Sequence, residues 1–107
     1  MLVERTAIED LTRRIVREFR PERVVLFGSY AHGSATSDSD VDLLVVMPFQ
    51  GSGGAQAVEI MRKVKPRIPL DLVVRTPEDM RQRLAWNDFF LREISDRGEV
   101  LYESPHV

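Results

Sequence analysis

Gly28-Ser29-Tyr30-Ala31-His32-Gly33-Ser34-Ala35-Thr36-Ser37-Asp38-Ser39-Asp40-Val41-Asp42-Leu43 is the stretch on which the reading of this chain turns. A glycine and a serine follow the short apolar run Val24–Phe27, and two aspartates open the stronger run Val41–Met47. Both runs are β-branched and apolar, which predicts two strands, the second closed by Pro48. Glycine at a strand end lets a ligand come close to the backbone. Free backbone N–H groups beside a serine hydroxyl make a seat for phosphate. Asp40 and Asp42 stand two apart at the head of a strand, so they share a face. Their Cα atoms should lie about 6.6 Å apart at ~3.3 Å per residue, close enough for both carboxylates to reach a shared Mg2+. Asp38 reads as a residue of the Ser-Asp-Ser-Asp turn.

The flanks extend the pattern. Ile8, Leu11, Ile15 and Phe19 recur at spacings of three and four, which predicts an amphipathic helix over about residues 5–19, stopped by Pro21. Residues 29–40 read as a short helical turn and a loop. Gln50–Gly54 reads as a flexible loop, followed by a helix over 55–64 with Val58 and Met61 facing inward, joined by Ile60 and Val64. Leu70–Val74 reads as a third strand. Thr76-Pro77-Glu78-Asp79 is a helix start, with a cap, a proline at the first position and acids in the first turn. Helices over 77–84 and 87–97 follow, with Gly98 as a C-terminal cap and a last short strand at Val100–Tyr102. Strands and helices intermix, which predicts one domain over residues 1–107: a mixed β-sheet packed with helices, of the α+β class.

A third acid, Asp71, interrupts the apolar run of the third strand. Neighbouring strands lie ~4.8 Å apart, so Asp71 can join Asp40 and Asp42. Three carboxylates at such range repel unless cations neutralise them. Divalent metal resolves the repulsion, and phosphoryl-type transfer needs such a set, because metal orients the phosphates and offsets the charge that develops on them. Taken singly, each residue has a plainer reading: Gly28-Ser29 as a turn, Asp71 as a solvent-facing strand residue. The coupled spacing is what sets these aside.

Gly28-Ser29, ten residues, then Asp40-Val41-Asp42 resembles the nucleotidyltransferase signature of the DNA polymerase β superfamily, in its minimal nucleotidyltransferase branch. Pro69-Leu70-Asp71-Leu72-Val73 resembles the strand that supplies the third acid in that family, and Asn87–Glu103 its C-terminal helix and strand. The resemblance implies a two-layer nucleotidyltransferase fold. It implies that Asp40, Asp42 and Asp71 bind Mg2+ in a two-metal site and are catalytic, with Asp71 assisting deprotonation of the acceptor hydroxyl. It implies that Gly28, Ser29 and Ser39 contact the nucleotide, with ATP as substrate. Members of this branch often stand beside a HEPN-domain toxin, and some transfer AMP to a tyrosine of it. The resemblance therefore implies an antitoxin in a hetero-oligomer with such a toxin. Its alternatives are a binding-only antitoxin and a regulatory nucleotide-binding subunit. Tyr30 and His32 stand where many relatives carry arginine.

Composition narrows the field further. The chain has 107 residues and a formal net charge of −2, with 15 Lys+Arg against 17 Asp+Glu. That near-balance argues against non-specific nucleic-acid binding. No cysteine is present, so thiol catalysis and thiolate metal sites are excluded. Charge by residue 4 and the absence of a long apolar run predict no signal peptide, no membrane span and a cytoplasmic location. A chain of this length leaves no space for a separate acceptor-gripping domain, so the acceptor is expected to be another polypeptide. Arg62, Lys63, Lys65 and Arg67 read as a solvated helix face. Trp86, Phe89, Phe90, Leu91 and Ile94 read as core, with one of the two adjacent phenylalanines left for an interface.

Overall fold

The computed structural model describes residues 2–105. In chain order the elements are α1 (Arg5–Phe19), β1 (Arg23–Phe27), α2 (Ser29–His32), β2 (Val41–Val46), α3 (Gly53–Val64), β3 (Leu70–Arg75), α4 (Pro77–Ala85), α5 (Phe89–Arg97) and β4 (Glu99–Glu103). Among the described residues the strands form one sheet in the order β3-β2-β1-β4. β2 runs parallel to β3 and antiparallel to β1, and β4 pairs antiparallel to β1 across a bulge at Val24/Val25. The sheet is mixed because α3 carries the chain back between β2 and β3, whereas the other neighbours meet head to tail.

β2 shows why its sequence is almost continuously apolar. Val41, Leu43 and Val45 point into a cluster with Ile8, Leu11 and Ile15 of α1 and Ile60 and Val64 of α3. Leu44 and Val46 point to the other side, where Met80 of α4 and Leu91 and Ile94 of α5 cover them. A strand buried on both faces cannot alternate with polar residues. The larger layer is α1 and α3 on the sheet, and α4 and α5 add a smaller cover opposite. Asp42 is the one charged residue of β2, and its parity puts it on the face of α4 and α5.

The helix ends follow local chemistry. Ser52 accepts the Ala55 N–H at 3.1 Å, Thr76 accepts that of Asp79 at 3.1 Å, and Asp88 accepts that of Leu91 at 3.0 Å. Arg5 clasps Glu99 with both terminal guanidinium nitrogens, tying α1 to β4.

Three expectations are corrected, and one cap takes an unexpected form. Val58 is 66% exposed, and the inward stripe of α3 is Ala57, Ile60 and Val64. Spacings of three and four run through both 57-60-64 and 58-61, and only the sheet beneath selects the first. Gly98 caps the C-terminus of α5 as expected, its N–H donating to the Ile94 carbonyl, but it is extended, with φ −75 and ψ 165, and not left-handed. Glycine is needed there because a Cβ would meet the Ile94 carbonyl oxygen of its own helix at 2.5 Å and Val25 Cγ1 of β1 at 2.7 Å. Left-handed caps are taken instead by Arg20 and Lys65. α5 begins at Phe89, two residues later than expected, because Asp88 is its cap. Trp86, Phe89 and Phe90 are exposed, at 71%, 90% and 49%, while Leu91 and Ile94 do enter the core.

Candidate active site

β1 ends at Phe27, and the chain turns sharply at Gly28, with φ 74 and ψ −154. That backbone region is essentially closed to residues with a side chain. The Gly28 carbonyl accepts the N–H groups of Ala31 at 3.0 Å and His32 at 3.2 Å, which winds α2 into a single turn. Gly33, also at positive φ, closes the turn onto the Ser29 carbonyl. Tyr30 anchors it: its ring packs on the main core and its hydroxyl accepts the Val3 N–H at 2.9 Å. Ser29 is thus held, half-buried, at the foot of β1.

The loop to β2 is organised by its own hydroxyls. Ser39 Oγ accepts the Thr36 N–H at 2.9 Å, and Thr36 Oγ1 accepts that of Asp38 at 3.3 Å. Ser39 therefore shapes the loop that delivers Asp40. The Val41 N–H donates to the Pro69 carbonyl at 2.9 Å, which locks the heads of β2 and β3 together.

Register then decides which acids meet. In the parallel pair, Asp42 stands directly opposite Asp71, and in the antiparallel pair it stands opposite Phe27. All three share the face of α4 and α5. Asp42 and Asp71 face each other across the parallel pair, and the charges of Asp71 and Asp40 both act on Asp42. Burial first, then the negative charges of Asp71 and Asp40, hold the Asp42 carboxyl above the ordinary carboxylate range. Asp40 and Asp71 themselves are exposed.

The donors fit a hard divalent cation: carboxylate oxygens, close together and electrostatically under-compensated. The wall of the site fits as well. A Cβ at Gly28 would overlap Asp42 Oδ2 and stand 3.1 Å from Asp42 Cγ, so the glycine leaves the space the carboxylate uses. Among the described residues, no set of three or more acidic or histidine side chains is arranged to hold a metal ion as it stands. Asp42 and Asp71 are the close pair, and Asp40 approaches from the loop.

The other candidates lie elsewhere. Arg62 pairs with Glu59 at 2.6 Å on the exposed face of α3. A cavity of about 640 Å3 runs between α1 and β4 beside Arg5, Arg13 and Tyr102, away from Asp40, Asp42 and Asp71. What sequence reasoning missed is the aromatic flank of the site. Phe27 is the cross-strand neighbour of Asp42, and Phe90 meets Phe27 edge to face, with ring centroids 5.7 Å apart. The available signal was α5 itself: Leu91 and Ile94 already fill its inward stripe, which leaves Phe90 on the flank.

Comparison with known proteins follows the same lines. A family model described as a nucleotidyltransferase domain matches residues 8–101. A Methanocaldococcus jannaschii protein named as a candidate protein adenylyltransferase is 27% identical over 103 residues, 92% of this chain and 98% of that protein. Among solved structures, a toxin–antitoxin complex with AMP-PNP superimposes with a TM-score of 0.64 at 22% identity, covering 92% of this chain and 75% of that one. A toxin–antitoxin complex, MntA–HpeT, carrying two Asp-to-Glu substitutions gives 0.62 at 18% identity, with coverage of 92% and 75%. A candidate nucleotidyltransferase from Sulfolobus solfataricus gives 0.57 at 21% identity, covering 72% of this chain and 70% of that one. These structural likenesses show the fold.

Proposed function

The chain belongs to the nucleotidyltransferase domain family, and from that premise we propose that it transfers AMP from ATP, with Mg2+, to a tyrosine hydroxyl of a HEPN-domain toxin, as the antitoxin of a toxin–antitoxin pair in the cytoplasm. Residues 1–107 then act as one minimal nucleotidyltransferase domain. The observation that carries this reading is the register that sets Asp42 beside Asp71, one strand from Gly28-Ser29. The M. jannaschii relative supports the adenylyl group, and the two toxin–antitoxin neighbours support the kind of partner. Among the described residues no helix is long and apolar enough to cross a membrane.

In this reading Asp40, Asp42 and Asp71 hold Mg2+, which when bound orients the triphosphate and offsets charge in the transition state. Gly28 lets the backbone approach the phosphates, and Ser29 supplies a hydroxyl to them. The acceptor oxygen forms a bond to the α-phosphorus. The bond to the oxygen bridging the α- and β-phosphates breaks, and pyrophosphate leaves with the electron pair. The hydroxyl proton passes to Asp71, the exposed member of the pair.

The test incubates the protein with α-labelled ATP, Mg2+ and the product of the neighbouring gene, followed by mass analysis of both chains. One adenylyl mass on a partner tyrosine, lost with Asp42→Asn, is the expected result. Neutralisation of the partner at full strength by Asp42→Asn, with no mass gain in the wild type, would show that contact alone suffices and refute catalysis.

A further inference from the structure

The acids are flanked unequally. Strand order places Asp71 on one side of Asp42, on the edge strand β3, and Phe27 on the other side, on β1. Phe27 immediately precedes Gly28-Ser29. Its Cβ stands about 5 Å from that of Asp42, as directly opposed antiparallel residues do. Phe90 meets Phe27 edge to face, with planes at 86°. Phe90 is held firmly, because its helix is capped by Asp88 and pinned by Leu91 and Ile94, 1% and 2% exposed. Yet about half of Phe90 faces solvent, at 49%. A half-open phenyl ring therefore stands one side chain beyond the cross-strand neighbour of Asp42. In a nucleotide, a ribose likewise separates the α-phosphate from its base.

We propose that Phe90, backed by Phe27, is the platform on which the purine base of the nucleoside triphosphate stacks. The inference rests on the reading of this site as a nucleotide site and extends it to the base. The acceptor is the less fitting occupant, because the residue that handles its hydroxyl, Asp71, lies on the opposite flank. Both the phosphate seat and the aromatic rings belong to the β1 side, so one ligand reaches both. Every base presents a flat π-face, so stacking on a phenyl ring supplies affinity, and a purine offers the larger area to Phe90.

The experiment is equilibrium binding of 2-aminopurine riboside triphosphate with Mg2+, read by quenching of its fluorescence on stacking, beside tripolyphosphate as a base-free competitor. Phe90→Ala is expected to weaken the nucleotide about 5- to 150-fold, the range that removal of a stacking aromatic costs. It should abolish the quench and leave tripolyphosphate affinity within about twofold. Phe90→Tyr should restore both affinity and quench. Phe89→Ala, at a residue 90% exposed, should match the wild type. Unchanged nucleotide affinity in Phe90→Ala overturns the platform, and so does an equal loss of tripolyphosphate, which would mean a distorted seat. A wild type that binds tripolyphosphate as tightly as the nucleotide also overturns the platform alone. A wild type that binds neither overturns the nucleotide site itself.

Discussion

Replacing Asp42 by Asn should make the metal-free protein more stable while removing its activity. Asp42 is half-buried, faces Asp71 across the parallel pair, and feels the charge of Asp40. Carboxylates on adjacent strands about 5 Å apart repel by ~0.8 kcal/mol at the dielectric of water and ~3 kcal/mol at an effective value of 20. Asp71 is exposed, so solvent screening favours the lower end, about 1 kcal/mol. The Asn amide can donate to Asp71, so an attractive contact replaces the repulsion. For a domain of this size the gain is a rise of roughly 4–8 °C in Tm. The sign agrees with linkage. Folding raises the Asp42 pKa, so its favourable contribution is present at acid pH and is lost as pH rises through that raised value. Mg2+ should reverse the order. A ligand at 100 times its Kd stabilises the wild type by about 2.7 kcal/mol, and the variant should forfeit most of that. Calorimetry of both proteins in chelator and in Mg2+ therefore predicts crossing curves. AMP transfer should fall at least about a hundredfold, the upper end of what losing a mere supporting group costs a metal site. A variant less stable than the wild type in chelator, or one that gains equally from Mg2+, would refute the electrostatic argument.

Gly28→Ala should cost about 1–3 kcal/mol through backbone strain alone, and should lower transfer further by displacing the Asp42 carboxylate, as denaturant melts and labelled-ATP assays on one preparation would show. Leu43→Ala, at a fully buried side chain of β2, should lose about 2–5 kcal/mol by chemical denaturation. Thr76→Ala removes the cap of α4 and should lose about 1 kcal/mol, with Thr76→Ser restoring most of it. Glu99 behaves oppositely to Asp42. Its hydrogen bond from Arg5 lowers its pKa, so its contribution is present above the ordinary carboxylate range and lost as pH falls through the lowered value, and Glu99→Gln should flatten the acid limb of a Tm–pH profile.

Local pattern and tertiary packing agree over much of the chain. The strand order along the sequence, the caps at Thr76 and Asp88, and the stripe Ile8-Leu11-Ile15 follow from local rules, because capping and amphipathic spacing act over a few residues. The acids were legible as candidates because two carboxylates at strand spacing and a third inside an apolar run have no packing reason to be there. The inward side of α3 was not legible, since Val58 and Ile60 are equally apolar and only the sheet distinguishes them. Gly98 is legible as the cap of α5, but its extended backbone and its close approach to Val25 appear only when α5 meets β1.

Sequence alone determined that Gly28-Ser29 and Asp40-x-Asp42 lie at the ends of consecutive strands, because twelve residues of chain can separate them only so far. The tertiary structure decided that Asp42 faces Asp71, that Phe27 faces Asp42, and that Phe90 closes over Phe27. Those pairings depend on strand register and on the seating of α5. Both are set by burial of side chains far apart in the chain, which no short-range pattern encodes.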